Sequence, residues 1–495
     1  MILLWLFVFV LSIITLFVLA ITVCHYCTSV RKYWRRRNVP YEEPCPIFGN
    51  FGAALTMRRS YANTLQYFYE TYKLERFVGI FQARRPTLMV IDLDIVKNIF
   101  STEFNNFSDR ISVSTDTRRE PLLRNLANMS GSDWKAMRHI VTPTFSSAKM
   151  KAMFSLVADC ARRLGSVLKE DCKDDINVPN LMVRYTTDVI GSCAFGVDPR
   201  SLRDPESPFL IMSQKMFKVS RSSIAKRYCR TYFPRLFKFL KLTSYSSEVE
   251  QFFTTTIKSV LTERRESGSQ RPDFLQLMLN VQKNESTLDM TDELITSNSF
   301  IFMLAGLETS STTMSFCLYE IAKNKELQDE MRKEILGCLE RHGELNYEAV
   351  NEMVLTKHAL LETLRLHPPT PFTTRLCTSA CTLAGTDLYL SKKDPVIIPI
   401  QCIQKDENHF PNPEKFDPER FRGDEKPSGF MAFGVGPRSC PGERFAELIM
   451  MTGLAEILRA FEVEPCSKTT PKIQYETRSV LLKNKGSIWL RFKPI

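Results

Sequence analysis

Hydrophobic positions are spread unevenly along this chain. From Ile2 to Val23 no side chain carries a charge, and a run of that length can cross a bilayer as a helix. Arg31, Lys32, Arg35, Arg36 and Arg37 follow, and then Pro40, Pro44 and Pro46. A cleaved signal peptide would carry basic residues ahead of a shorter apolar stretch. Nothing charged precedes this run, so the pattern predicts an uncleaved anchor over residues 1–30 and a basic, proline-containing linker over 31–46. By the positive-inside rule the body of the chain then faces the cytosol. Its apolar positions recur mostly at helical spacing. The proline-free run from Leu294 to Leu339 predicts a long helix in one piece or two. Shorter helices are predicted around Trp134–Arg138, around Glu362–Arg365 ahead of Pro368 and Pro369, and from Glu443 to Leu454. No Gly/Ser linker, low-complexity tract or internal repeat divides the rest, so residues 47–495 read as one large, mainly helical domain.

Composition and charge narrow the partners. The chain has 495 residues, 66 Lys and Arg against 55 Asp and Glu, and a formal net charge of +11. Such a balance suits a membrane-facing protein with an acidic partner. The fourteen cysteines show no framework spacing in a chain far too long for a stapled mini-fold, so they read as reduced thiols. The six histidines form no paired metal motif, which argues against a histidine–zinc enzyme. Between Lys215 and Lys241, the cations Lys218, Arg221, Lys226, Arg227, Arg230, Arg235 and Lys238 interleave with Met216, Phe217, Tyr228, Tyr232, Phe233, Phe237 and Phe239. No acid lies between Glu206 and Glu248. A charge run is usually a solvated face, but the aromatic residues here favour contact with anionic lipid. The anchor argues against nucleic acid as a partner.

The most specific pattern is Phe433-Gly434-Val435-Gly436-Pro437-Arg438-Ser439-Cys440-Pro441-Gly442. Gly436 and Gly442 carry no side chain, which lets a flat cofactor approach the backbone. Nearby positive charge or a helix N-terminus favours the thiolate, the metal-binding form of cysteine, and Arg438 suits an acidic cofactor edge. The plainer reading is a buried structural cysteine before a helix. Ala305-Gly306-Leu307-Glu308-Thr309-Ser310 places a glycine inside the long helix, at a cost of about 1 kcal/mol relative to alanine. That suggests room for a ligand. Ala305 and Thr309 share a face, although serine and threonine hydroxyls in a helix also bond back to the preceding turn. Glu362 and Arg365 share a face, and by themselves would make a surface ion pair worth under ~1 kcal/mol. Trp134 and Arg138 are one turn apart and could reach the same anion.

The cysteine segment resembles the haem-binding signature FxxGxRxCxG of the cytochrome P-450 monooxygenases, and every fixed position matches. The resemblance covers nearly the whole chain, with the motifs in family order from Trp134 to Gly442. It implies a mainly α fold with small β-sheets, haem b (iron protoporphyrin IX) as cofactor and Cys440 as the iron ligand. Phe433, Gly434, Gly442 and Ala305 would border the cofactor. Arg438 would pair with a haem propionate, Trp134 and Arg138 match the WxxxR propionate element, Arg375 matches a further propionate position, and Arg110 is another candidate. Several cations are reasonable, because unpaired buried charge is expensive. Glu308 and Thr309 resemble the family's acid–alcohol pair. Gly306 would leave room for dioxygen, Thr309 would hold the oxygen and its proton, and Glu308 would relay protons. Glu362 and Arg365 resemble the ExxR motif, and Pro418-Glu419-Arg420-Phe421 resembles the segment that adds a second arginine; together they would lock the backbone around the cysteine loop. Thr142-Pro143-Thr144-Phe145-Ser146-Ser147 looks most like microsomal insect-type detoxification members. The chain departs from the pattern at its loose proline hinge, at Gln404-Lys405-Asp406, where many relatives carry histidine, and at Pro441, which has no N–H to offer the sulfur.

The implied function is a membrane-bound haem-thiolate monooxygenase of the endoplasmic reticulum. It would insert one atom of dioxygen into a lipophilic xenobiotic, insecticide, hormone or lipid. No G-x-G-x-x-G opens a helix after a strand, so electrons would come from a separate NADPH–cytochrome P-450 reductase, with cytochrome b5 as a second candidate donor. Apolar segments near Phe107, Phe302, Pro371 and Val480 would line the substrate pocket. Two other classes remain open: a haem-thiolate isomerase or dehydratase acting on peroxides, and a non-catalytic haem-binding sensor. The intact Glu308–Thr309 pair argues against the first, and retention of Cys440 with Thr309 argues against the second. Asn106, Asn128 and Asn284 open formal glycosylation sequons, expected to stay bare in a cytosolic body.

Overall fold

The computed structural model describes residues 1–111, 118–171, 174–283, 288–423 and 425–495; the Asn284 sequon lies outside the described residues. The architecture is mainly helical with small sheets, as expected. Contacts divide it into two compact units, one of Met1–Ile111 with Phe372–Pro399 and one of Ser112–Pro371 with Ile400–Ile495.

The smaller unit opens with the helix Ile2–Thr28. Its segment Leu4–Thr22 is long and apolar enough to cross a membrane, and none of it is buried against protein. A four-stranded sheet follows, built from Phe77–Gln82, Arg85–Val90, Pro395–Ile398 and Thr373–Leu376 in that order. The first two strands form a tight hairpin from Phe77↔Val90 to Gln82↔Arg85, the second and third run parallel, and the last pair is antiparallel. Residues 31–46, expected to be a linker, are tied to this sheet. Trp34 is fully buried and donates its indole N–H to the Ile80 carbonyl at 3.2 Å. The indole sits where Gly79 has no side chain; a Cβ there would lie 2.4 Å from the ring. The Gly79 N–H in turn donates to the Pro40 carbonyl at 2.7 Å. An aromatic anchor and a matching glycine thus hold the segment, which charge and proline content alone did not indicate.

The larger unit is organised around the helix Asp292–Ala322. The Thr291 side chain caps its start by accepting from the Leu294 N–H. The predicted run from Leu294 to Leu339 is in fact two helices. The second, Lys325–His342, is capped by Asn324 and ends at Gly343, whose φ is +75°. Helices Val178–Ile190, Val354–Leu366 and Glu443–Leu458 pack around Asp292–Ala322. Gly453 permits close approach there: an added Cβ would lie 2.6 Å from Met314 Cε and 2.8 Å from the Tyr185 ring. Tyr185 is itself held by donation to the Ile449 carbonyl at 2.8 Å. A small three-stranded sheet, Ile176–Asn177, Trp489–Pro494 and Phe461–Pro465, closes the unit.

Candidate active site

The cysteine loop is closed by its own backbone. Gly434 N–H donates to Met431, Ser439 N–H to Gly436 and Cys440 N–H to Phe433, all at 2.8–2.9 Å. Gly434 and Gly436 hold φ of +73° and +75°, a region that L side chains rarely adopt. These two turns bring the chain back to present Cys440 on an exposed loop just before the helix Glu443–Leu458. Gly442 is the residue before that helix, with the Phe145 ring 3.8 Å from where its Cβ would be. Phe433 packs against the apolar cluster of Leu361, Leu364, Phe410, Phe421 and Phe430.

The helix Gly131–Val141 clasps this loop with two groups one turn apart. Trp134 is 5 % exposed and stacks on Arg438, whose guanidinium carbon lies 4.1 Å from a ring centroid. Arg438 is 4 % exposed and donates to the Met129 carbonyl at 3.0 Å. Arg138 donates to the Ser439 carbonyl at 2.7 Å. Burial pushes the Arg138 pKa down, while the Cys440 sulfur pulls it up. Trp134, Arg138, Arg438 and Cys440 thus form one neighbourhood. Arg375 and Arg110 belong to the smaller unit. There Arg375 is buried, donates to Thr373 and to the Thr374 carbonyl, and lies 4.7 Å over the Phe100 ring, and Arg110 is half-buried.

Glu362 and Arg365 do not form the surface ion pair that their spacing alone suggests. Both side chains are fully buried and bidentate, at 2.7 and 2.8 Å. Arg365 also donates to the carbonyls of Gln404 and Pro413, the Asp417 N–H donates to Glu362, and Arg420 Nε stands 3.4 Å from Glu362. A buried pair is tolerable only when its remaining hydrogen-bonding capacity is filled, as it is here. The link to the cysteine loop is Gln404. Its amide donates to the Leu364 and Arg365 carbonyls and its oxygen accepts from Met431 N–H at 2.7 Å. Gln404 was noted in the sequence only as a departure from relatives.

On the helix Asp292–Ala322, the Thr309 hydroxyl donates to the Ala305 carbonyl at 2.6 Å. This is the back-bonding the plainer reading expects, and it leaves the hydroxyl oxygen free to accept. Glu308 is buried and forms an ion pair with Lys483. Lys483 went unread, because it lies 175 positions beyond Glu308 and nothing in its local sequence marks it. A Cβ at Gly306 would lie 2.8 Å from Ile190 Cδ1, so the missing side chain lets the helix Val178–Ile190 approach closely. Phe302 packs with Phe145 and Phe274.

A profile of the family described as Cytochrome P450 matches residues 39–491. The chain belongs to the cytochrome P450 family. It is 36 % identical over 488 residues to Cytochrome P450 6a2 of Drosophila melanogaster, covering 94 % of this chain and 96 % of the relative. It is 34 % identical over 489 residues to Cytochrome P450 6k1 of Blattella germanica, covering 93 % and 92 %. The Probable cytochrome P450 6a14 of Drosophila melanogaster is 33 % identical over 492 residues, covering 94 % and 96 %. The chain is thus a cytochrome P450 monooxygenase, and the family's cofactor is a thiolate-ligated haem. The residues present fit that group. An exposed thiol suits a metal ligand, and the buried guanidinium of Arg438 with the half-buried one of Arg138 beside it suits carboxylates.

Proposed function

We propose that this P450 is a membrane-anchored monooxygenase of the endoplasmic reticulum that oxygenates lipophilic compounds with electrons from an NADPH-dependent flavoprotein reductase. The observation that carries the reading is the Cys440 thiol, presented on a glycine-turned loop and flanked by Arg138 and Arg438. In this reading Cys440 is the iron ligand. Arg138, Arg438 and Trp134 hold the propionate side, and Phe433, Gly434, Gly442 and Ala305 border the ring. When bound, the haem supplies the iron at which dioxygen is reduced and split, favoured by electron donation from the thiolate. Thr309 accepts and passes a proton through a hydroxyl whose position is fixed by the Ala305 carbonyl. Glu308, next to it in the chain, supplies that proton. Arg365, Glu362 and Gln404 hold the loop from behind.

The membrane reading rests on Leu4–Thr22 and on the basic stretch, which folds as helices Pro208–Phe217, Arg221–Tyr232 and Pro234–Phe239. Phe233, Leu236, Phe239 and Leu240 are exposed there, Phe239 to 80 %, beside Arg235 and Lys238. Not every expected contact is available. Phe237 is buried, Tyr228 and Tyr232 pack on each other, and Arg230 is held by Ser244.

The test is turnover of a panel of lipophilic compounds by the purified protein with reductase, NADPH and isotopically labelled dioxygen. Product carrying one labelled atom is expected. Turnover of hydroperoxides alone, with none in the presence of NADPH and reductase, would replace the reading with a peroxide isomerase or dehydratase.

A further inference from the structure

The Glu308 carboxylate is only 9 % exposed at its side chain, and its ionic partner is Lys483, 29 % exposed. An ionised carboxylate so deeply set is costly without a counter-charge. The lysine comes from a well-fixed hairpin. Glu476 N–H donates to the Lys483 carbonyl, Lys485 N–H to Gln474, and Leu482 N–H to Pro369, while Tyr475 bridges Asn484. The Lys483 ammonium also stands 5.6 Å from the ring of Phe217, the last residue of the helix Pro208–Phe217. One side chain therefore joins three separate segments beside the turn of the central helix that carries Thr309.

We infer that Lys483 is a positioning residue for proton delivery, holding the Glu308 carboxylate in place at the boundary between solvent and the helix that carries Thr309. This rests on the roles proposed above for Glu308 and Thr309. Each proton that the carboxylate takes from water passes to the Thr309 hydroxyl as that hydroxyl releases its own, so Glu308 returns to its ionised state. Without the ammonium, the carboxylate would lose the contact that fixes it and turn away, and delivery would falter while the pocket remained intact.

The full-length protein with haem, reductase and NADPH tests this. Lys483→Met should release several-fold more peroxide per NADPH than wild type and form less product, and Lys483→Arg should restore coupling. Turnover driven by an organic hydroperoxide needs no proton delivery to dioxygen and should survive in Lys483→Met. An equal loss on that route would make Lys483 merely structural and overturn the inference. A second readout needs no turnover: acetylation by acetic anhydride, followed by mass spectrometry, with the exposed Lys485 as internal reference. The ion pair should protect Lys483, and Glu308→Gln should raise its labelling several-fold; unchanged labelling would show that the pair does not persist in solution. Thr309→Ala separates the two levels. If it uncouples while Lys483→Met stays coupled, the Lys483 inference alone fails; if neither uncouples, the proposed proton route itself fails.

Discussion

A thiolate on iron moves the Soret band of the reduced, carbon-monoxide-bound protein strongly to the red. Cys440→Ser should abolish that band, and Cys377→Ser and Cys466→Ser should keep it. Cys377 is fully buried and donates to the Ser379 carbonyl at 2.9 Å, and burial pushes its pKa up to about 12; Cys466 is tied to Thr469. A normal band in the Cys440 variant would remove the iron ligand from this residue. Beside it, Pro441 offers the sulfur no N–H, and hydrogen bonds to sulfur are one lever on haem potential. Pro441→Ile is therefore expected to raise the reduction potential. A redox titration showing no change or a fall, with haem normally bound, would mean that the missing amide does not tune the thiolate. Cys440, Arg438, Trp134 and Arg138 were legible because their roles depend on short spacings within one loop or one helical turn. Gln404 and Lys483 were not, because their roles depend on which carbonyl or carboxylate the fold brings to them.

At the level of elements, two helix glycines make opposite demands. Gly306→Ala brings a Cβ to 2.8 Å from Ile190 Cδ1, the free end of a side chain. The helix gains about 1 kcal/mol from the exchange, so stability is expected to change by no more than ~1 kcal/mol. Gly453→Ala meets Met314 and also the ring of Tyr185, which its hydroxyl bond to Ile449 holds in place. Overpacking of this kind costs typically about 1–3 kcal/mol, and part of that survives the helical gain. Denaturant melts of the two variants should separate them, with Gly453→Ala the less stable. Equal effects would refute the packing account of Gly306. A glycine in a helix signals a close neighbour, and the sequence did not show that Ile190 of another helix is one at Gly306. Helix type and rough extent were readable from periodicity, as at Glu443–Leu458. The break at Asn324 depended on a local cap that competes with a continuous apolar pattern.

Across the larger unit, stability depends on a buried histidine that joins remote segments. His367 stacks on Phe316, and its ring nitrogens meet Glu320 at 3.1 Å and Tyr475 at 2.9 Å, with Lys405 and Glu414 also facing it. Burial holds its pKa below the ordinary value despite Glu320. The unfolded chain therefore takes up a proton near pH ~6.5 that the folded chain refuses. This contribution is fully present above that pH and is lost as the pH falls toward the folded pKa, at up to about 1.4 kcal/mol per pH unit. Unfolding measured against pH should show a shallower acid slope in His367→Gln; an unchanged slope would mean that the folded histidine already carries the proton. For the whole chain, a cytosolic body implies that Asn106, Asn128 and Asn284 carry no glycan, and a glycosidase-sensitive mass shift at any of them would reverse the topology. The apolar segment Leu4–Thr22 has 19 residues and as a helix measures about 28 Å. A span of that length suits a hydrocarbon core of about 30 Å, so a charge set at its middle, as in Ile13→Arg, should move the protein from the membrane fraction to the soluble one.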